Sequence, residues 1–244
     1  MKEGSRSIVL FDLYGTLADI ETDESSPSSW EHFRALATAT GLETALSATE
    51  LRESYQSLCE QEAVHLPRGA ILEPVFDKIS KLFSGADGSA ERIAGLFREA
   101  TTKRLELRPY TTTLLASLEG HGVKIGLISN TEALLTRFDL DALGISGRFD
   151  SIVLSSDVGY QKPHPEIYHR ALEDLGTKDV SDAVMVGDTD STDGLGARSV
   201  GMCTILLDPS ACSVDSFEIP VTIMKVPPDE RSIRLALRAA GVPN

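Results

Sequence analysis

The sequence predicts an α/β protein whose mostly parallel sheet is interrupted, after its first strand, by a helical insert. Two patterns support this fold class. Short apolar runs alternate with helical segments through 107–207, which is typical of βαβ units. The segment 30–104 instead repeats apolar residues at helical spacing. Because 41% of the 244 residues are hydrophobic, the chain can bury a sizeable core.

Six apolar runs are predicted strands. The first, Ile8–Phe11, consists of strand-forming residues and is followed directly by Asp12. The last, at 221–224, is predicted as an edge strand. The four strands between them are predicted at 123–128, 151–154, 183–186 and 203–207. Helices are predicted around 114–120, at 131–138, at 165–175, after 193 to about 200, and from 229 onwards.

The helical insert is predicted to form a domain of its own. Leu51, Tyr55 and Leu58 fall at i, i+4 and i+7, and similar spacing recurs up to residue 100. The stretch 19–29 (DIETDESSPSS) is acidic and Ser-rich, so it is interpreted as an exposed loop or linker. We therefore expect a core domain of residues 1–18 and 106–244 and an insert of residues 19–105.

Composition and charge exclude several classes of function. The formal net charge of −14 argues against nonspecific nucleic-acid binding, which needs cationic surface. No apolar run approaches the ~20 residues that span a bilayer, so a membrane protein is not expected. The three cysteines are dispersed, which fits a reducing compartment, and the N-terminus lacks the form of a signal peptide. A cytoplasmic protein is expected; its oligomeric state cannot be read from the sequence.

Polar side chains follow four of the predicted strands. Because the carboxyl ends of parallel strands meet at one edge of a sheet, these groups should converge. Two carboxylates among hydroxyl and amide groups suit Mg²⁺, which prefers oxygen ligands. A lysine beside Mg²⁺ could neutralise a phosphoryl group while an acid attacks it. The converging residues are Asp12, Thr16, Ser129, Asn130, Lys162, Asp188 and Asp193.

Each of these residues also has a purely structural interpretation. Asp12 could cap a turn, and Ser129 and Asn130 could cap the next helix. Lys162 could be a solvated surface lysine. The acids that follow the fourth strand could be favoured by a helix dipole. The order and context of the four sites favour the functional interpretation.

Four stretches of this sequence resemble the four motifs of the haloacid dehalogenase (HAD) superfamily, in the same order and spacing. They are FDLYGTL at 11–17, LISN at 127–130, KP at 162–163, and VGDTDSTD at 186–193 with GA at 196–197. The resemblance implies a Rossmann-like core. It also implies that the all-helical insert is a C1-type cap, joined to the core by linkers near 18–22 and 105–109.

The resemblance also implies a role for each site residue. Asp12 would be the nucleophile that forms a covalent aspartyl intermediate. Lys162 would hold Asp12 and the substrate anion together. Mg²⁺ would bind Asp12, Asp188 and the backbone carbonyl of Tyr14. Thr16, Ser129 and Asn130 would bind the transferred group or order the nucleophile, and Asp193 would either belong to the metal site itself or hold the metal ligands from behind.

Tyr14 departs from the phosphatases of this superfamily, which carry there a second Asp that acts as general acid and base. An unperturbed tyrosine has a pKa of roughly 10, which is poorly matched to that task at neutral pH. The Asp-x-Tyr-Gly-Thr form resembles the L-2-haloacid dehalogenases, and Tyr168 matches a tyrosine of those enzymes. They need no metal, however, and have a neutral residue where this chain has Asp188.

The sequence therefore predicts a Mg²⁺-dependent hydrolase, most readily one that hydrolyses a phosphate monoester. The expected substrate is a small anionic molecule. The alternative is a metal-independent L-2-haloacid dehalogenase, and the third possibility is a non-catalytic binding protein on a HAD scaffold. The insert carries no readable specificity code. Candidate contacts in it are Trp30, His32, His65 and Arg68, and candidates for a halide-binding arginine are Arg34, Arg52 and Arg68.

Overall fold

The computed structural model describes residues 6–63, 72–85, 89–210 and 223–244. Packing divides them into two compact units. The first contains the described residues of Met1–Asp19, Glu106–Asn130 and Gly144–Asn244, and the second those of Ile20–Leu105 and Thr131–Leu143. The predicted boundaries at 18/19 and 105/106 remain a prediction; the packing adds a helical segment, 131–143, to the insert.

The described residues form both strands and helices. The strands are β1 (Ile8–Phe11), β2 (Ala18–Thr22), β3 (Leu42–Glu43), β4 (Ser84–Gly85), β5 (Thr102–Leu107), β6 (Lys124–Ser129), β7 (Ser151–Leu154), β8 (Ala183–Gly187), β9 (Cys203–Leu207) and β10 (Ile223–Val226). The helices are α1 (Pro27–Ala39), α2 (Ala48–Ala63), α3 (Leu72–Ser80), α4 (Ala90–Thr101), α5 (Thr111–Gly120), α6 (Ala133–Ala142), α7 (Ser155–Val158), α8 (Pro165–Asp174), α9 (Leu195–Ser199) and α10 (Glu230–Ala239). Over the described ranges, no helix has both the length and the apolar composition needed to cross a bilayer.

The first unit is built on a six-stranded sheet in the order β10-β9-β8-β1-β6-β7. Every pairing in it is parallel, which confirms the predicted α/β class. Strands β1, β8 and β9 are buried along their whole length, as expected for strands covered on both faces. The predicted edge strand is also present as β10, although residues 221–222 lie outside the described ranges.

Helix α8 covers part of one face of this sheet. Its apolar residues Ile167, Ala171 and Leu172 join Leu10 and Met185 in one buried cluster. The spacing i, i+4, i+5 places the three helical residues on a single face, so the helix buries one apolar stripe against the strands. This packing fixes the helix that directly follows the loop containing Lys162.

The second unit is mainly helical, and its core is aromatic. Phe97 lies at the centre of this core, with ring centroids 5.2 Å from Trp30, 5.0 Å from Tyr55 and 5.2 Å from Phe76. Such tilted and edge-on pairs add to the free energy gained by burying the rings. The aromatic cluster therefore holds α1, α2, α3 and α4 together.

Two predictions for the insert need correction. It is not all-helical, because β3 pairs with β4 in a two-residue ladder. The stretch 19–29 is not one exposed loop, because β2 extends to Thr22 and pairs with β5. Asp23 then accepts a hydrogen bond from the Ser26 backbone, and Pro27 starts α1 at a position where proline is favoured. The acidic composition had concealed a strand and a helix start.

Helix α6 packs with the insert rather than with the sheet. Its Leu135 belongs to the aromatic cluster, and Gly95 leaves room for the ring of Phe138. Arg98 forms a two-pronged ion pair with Asp139, with Nη2 2.6 Å from Oδ2 and Nε 2.9 Å from Oδ1. Both side chains are largely buried, so α6 is attached by charge as well as by apolar contact.

The aromatic cluster yields a stability prediction. Phe97→Ala should lower the free energy of unfolding by about 3–5 kcal/mol, because it leaves a cavity among four rings. Glu99→Ala, an exposed position on the same helix, should change it by less than about 0.5 kcal/mol. Urea unfolding followed by fluorescence of Trp30, the sole tryptophan, measures both. Equal effects of the two substitutions would contradict the central role of Phe97.

Candidate active site

The carboxyl ends of β1, β6 and β8 form the floor of the candidate site. Strand β1 lies between the other two, and Asp12 continues from it with its backbone N–H donating to Val186 O at 2.9 Å. Ser129 ends the neighbouring strand β6, and Asp188 follows β8. The parallel register thus brings these groups to one edge, as the strand-end argument expected.

Lys162 joins two carboxylates at the centre of this edge. Its Nζ lies 2.5 Å from Asp12 Oδ1, 2.6 Å from Asp193 Oδ1 and 2.9 Å from Ile128 O. Its side chain is only 2% exposed. A lysine ammonium has three N–H donors, and here each has an acceptor. Lys162 is therefore not a solvated surface lysine.

Asn130 connects the end of β6 to the loop of Lys162. Its Nδ2 donates to the backbone carbonyl of Lys162 at 2.8 Å, and its Oδ1 accepts from the Lys162 N–H at 2.7 Å. The suggestion that Asn130 caps the following helix is wrong. Helix α6 begins at Ala133 with Glu132 at its N-cap, because the chain turns through Thr131 before the helix starts.

Asp193 and Asp188 complete an acidic group with Asp12. One carboxylate oxygen from each of the three lies within 4.8 Å of the others. Asp193 is buried in a π-helical turn, Asp190–Gly194, and its Oδ2 accepts from the Thr189 N–H at 3.1 Å. Asp188 is exposed and accepts from the Thr189 hydroxyl at 3.1 Å. The arrangement leaves Asp188 facing solvent beside a buried ion pair.

The loop after β1 is fixed by residues that the sequence analysis missed. Gly15 has φ +85°, and a Cβ atom at this position would overlap the Asp188 carboxylate, so that side chain would have to move. The hydroxyl of Tyr110 donates to Thr16 O at 2.6 Å, and Arg108 Nη2 donates to Gly15 O at 3.1 Å. The Gly-Thr pair signalled a turn here, but no sequence pattern identified these two distant donors.

The charges of the site's own residues do not cancel. Burial raises the pKa of Asp12 to about 6, with Asp193 acting in the same direction and Lys162 opposing it. Asp188 is only partly shielded from solvent, and this partial desolvation also raises its pKa. Burial alone would lower the pKa of Lys162, but the carboxylates of Asp12 and Asp193 raise it overall. Three carboxylates share one ammonium, so the donor set fits an added hard cation such as Mg²⁺.

The remaining predicted site residues lie at or next to this cluster. The Thr16 hydroxyl is buried and 3.5 Å from Asp12 Oδ2, and Ser129 is buried. Tyr14 is half-buried in the loop directly after Leu13. Tyr168 lies in the core beneath the site, where its hydroxyl donates to Thr192 O at 3.0 Å.

The candidate contacts in the insert have mixed positions. Trp30 is buried in the aromatic cluster, whereas His32 is exposed. Arg34 donates to Leu46 O at 3.1 Å, and Arg52 donates to Ser25 O at 3.3 Å. These bonds show that both arginines support the backbone of the insert. His65 and Arg68 lie outside the described residues.

Comparison with known proteins gives one family. The profile of the haloacid dehalogenase-like hydrolases matches residues 7–201. The chain is 32% identical over 200 residues to a glyceraldehyde 3-phosphate phosphatase of Methanopyrus kandleri, covering 81% of this chain and 82% of the relative. It is 31% identical over 199 residues to a phosphoglycolate phosphatase of Aquifex aeolicus, covering 79% and 80%.

Solved structures show the same fold. A 2-haloacid dehalogenase from Pseudomonas syringae pv. Tomato DC3000 superposes with a TM-score of 0.60 at 22% sequence identity. The match covers 96% of this chain and 99% of that one. At this identity the likeness concerns the fold alone, so it does not favour a dehalogenase reaction.

The fit between Gly15 and Asp188 can be tested by stability. An alanine in the left-handed conformation is expected to cost about 1–2 kcal/mol. Gly15→Ala should destabilise the protein by more than this, because the new methyl group also displaces Asp188. Gly122→Ala is the matched control, since Gly122 has φ +71° with open space around its Cβ position. Urea unfolding of the two variants separates the cost of a left-handed alanine from the cost of displacing Asp188. Equal losses of unfolding free energy would show that Asp188 moves without cost.

Proposed function

Because the chain belongs to the haloacid dehalogenase-like hydrolases, we propose that it hydrolyses phosphate monoesters of small molecules, with Asp12 as covalent nucleophile and Mg²⁺ as cofactor. The observation that carries this proposal is the buried Asp12–Lys162–Asp193 cluster with Asp188 beside it. The relatives named as phosphatases, about a third identical over four fifths of the chain, support it independently.

In the proposed reaction a carboxylate oxygen of Asp12 attacks the phosphorus atom. The bond from phosphorus to the leaving oxygen breaks, and an aspartyl phosphate forms. Water then attacks the phosphorus, which releases inorganic phosphate and restores the carboxylate. Lys162 holds Asp12 Oδ1 in place throughout, because its own position is fixed by Asp193 and the Ile128 carbonyl. Thr16 and Ser129 are the nearby hydroxyl donors proposed for the transferred group.

The metal is proposed to bind Asp12, Asp188 and the backbone carbonyl of Tyr14, with Asp193 supporting the site from behind. When bound, Mg²⁺ would neutralise the carboxylates and the phosphoryl oxygens. The raised pKa values of Asp12 and Asp188 support this assignment, because a cation would remove the cost of ionising them together. The absence of a side chain at Gly15 leaves the space that the Asp188 carboxylate occupies beside this loop.

Tyr14 restricts the leaving group. It stands where the superfamily phosphatases have a general acid, so an alkoxide would leave slowly. We propose substrates whose leaving group needs little protonation, such as aryl or acyl phosphates. The proposed substrate is small and anionic, with residues 19–105 as a C1-type cap over it; the predicted cytoplasmic location stays part of this proposal.

A 2-haloacid dehalogenase remains the second candidate because of Tyr14 and Tyr168. Two observations count against it. Asp188 adds a third carboxylate to a site that would have to bind a haloacid anion. The hydroxyl of Tyr168 is bound to Thr192 O below the site. A purely binding function would not need Asp12 held against a buried lysine.

The phosphatase proposal predicts Mg²⁺-dependent release of p-nitrophenol from p-nitrophenyl phosphate. EDTA should abolish it, and Asp12→Asn should lower kcat by at least about 10³-fold, because the nucleophile is lost. Asp77→Asn, an exposed acid in the insert, should leave the rate unchanged. Halide release from 2-chloropropionate without metal would instead establish the dehalogenase. The absence of both activities would favour a binding protein.

Tyr14→Asp tests the missing general acid. The substitution should raise kcat on an alkyl phosphate by about 10²-fold, the lower range for general acid catalysis, while changing aryl phosphate turnover little. Tyr14→Asn is the matched control, because it has the size of aspartate but cannot donate the proton in the same way. If both variants leave the alkyl-to-aryl ratio unchanged, with the fold intact by circular dichroism, the general-acid account is wrong.

A further inference from the structure

We propose that Asn130 is a positioning residue that aims Lys162 at Asp12 and Asp193, rather than a group that binds the transferred phosphoryl. The kinetic part of this inference rests on the proposed function, but its structural part does not. It starts from the two hydrogen bonds that the Asn130 amide makes to the backbone of Lys162.

These two hydrogen bonds constrain one residue from both sides. The Asn130 oxygen takes the Lys162 N–H at 2.7 Å, and its nitrogen gives a hydrogen to the Lys162 carbonyl at 2.8 Å. The pairing resembles one rung of a sheet ladder, with a side chain in place of the second strand. It fixes the height and the orientation of the Lys162 backbone relative to the end of β6. Neither bond serves the start of α6, whose N-cap is Glu132.

The position of the Lys162 backbone matters because its side chain must reach three acceptors at once. Four methylene groups separate Cα from an ammonium that must meet Asp12, Asp193 and the Ile128 carbonyl together. At 2% exposure, no bulk water is present to replace a lost acceptor. A backbone shift of about 1 Å would break at least one of these contacts, and displacements of that size in active sites can cost 10²-fold in rate.

The Asn130 amide also continues the same strand that supplies one acceptor. Ile128 O lies two residues earlier on β6 and receives the Lys162 ammonium, while Asn130 holds the Lys162 backbone. The end of β6 therefore hydrogen-bonds both to the ammonium group of Lys162 and to its backbone. A residue placed only to bind substrate would not need both of its polar atoms directed at the main chain of another loop.

The test compares Asn130→Ala and Asn130→Asp with the native protein. Asn130→Asp is nearly isosteric and keeps an acceptor for the Lys162 N–H, but it cannot donate to the carbonyl. We expect kcat on p-nitrophenyl phosphate to fall by about 10- to 100-fold in Asn130→Ala, with KM little changed. His164→Ala is the matched control in the same loop, since the His164 ring accepts a hydrogen bond from the Glu166 N–H at the start of α8, and it should keep native kinetics.

The structural readout is the acetylation rate of Lys162, measured by peptide mass spectrometry with Lys178 as internal standard. Lys178 is 87% exposed, whereas Lys162 is buried and ion-paired, so Lys162 should react slowly in the native protein. In Asn130→Ala its relative rate should rise several-fold, and in His164→Ala it should not. This measurement needs no turnover, so it decides the role of Asn130 even if the protein proves not to be a phosphatase.

Two results would overturn the proposal. One is an unchanged Lys162 acetylation rate in both Asn130 variants, with circular dichroism showing a native fold. The other is a rise in KM with kcat unchanged, because that pattern belongs to a residue that binds ground state and transition state equally. Increased acetylation together with a fall in kcat at constant KM would establish the positioning role.

Discussion

The buried ion pair between Lys162 and the two acids Asp12 and Asp193 is the interaction on which the site depends. A charge taken out of water costs several kcal/mol unless partners surround it, and breaking such a group by removing one partner leaves the others uncompensated. Here one ammonium serves two carboxylates and a main-chain carbonyl. The geometry of three strand ends must therefore agree before the nucleophile is in place.

That requirement explains why hydrogen bonds from other segments fix the loops that carry Asp12, Lys162 and Asp193. The loop after β1 is fixed from the segment that leads into α5, through Arg108 and the N-cap residue Tyr110. The loop of Lys162 is fixed from β6. Asp193 is fixed by a π-helical turn, a rare form that often appears at functional sites. Each of these contacts limits where the charged groups of the site can be.

The fold class and the meeting of Asp12, Lys162 and Asp188 could be predicted because strand-end geometry follows from parallel topology, which apolar runs reveal. The partner of Asn130 could not, since hydrogen bonds between loops leave no periodic signal. The strand β2 was missed because its sequence, ADIET, is half-exposed and acidic, and it is stabilised by pairing with β5. The roles of the site residues remain predictions.

Helix α6 has a further consequence for the way this chain could be recombined. Its Leu135 is part of the core of the insert, and its Asp139 is bound to Arg98. Exchanging residues 20–105 would therefore remove the present partners of the apolar face of α6 and of its buried Asp139 carboxylate. The exchangeable module is discontinuous, and 131–143 must travel with it. Natural sequence change in the two stretches is subject to the same constraint, so substitutions at their contact should occur in compensating pairs.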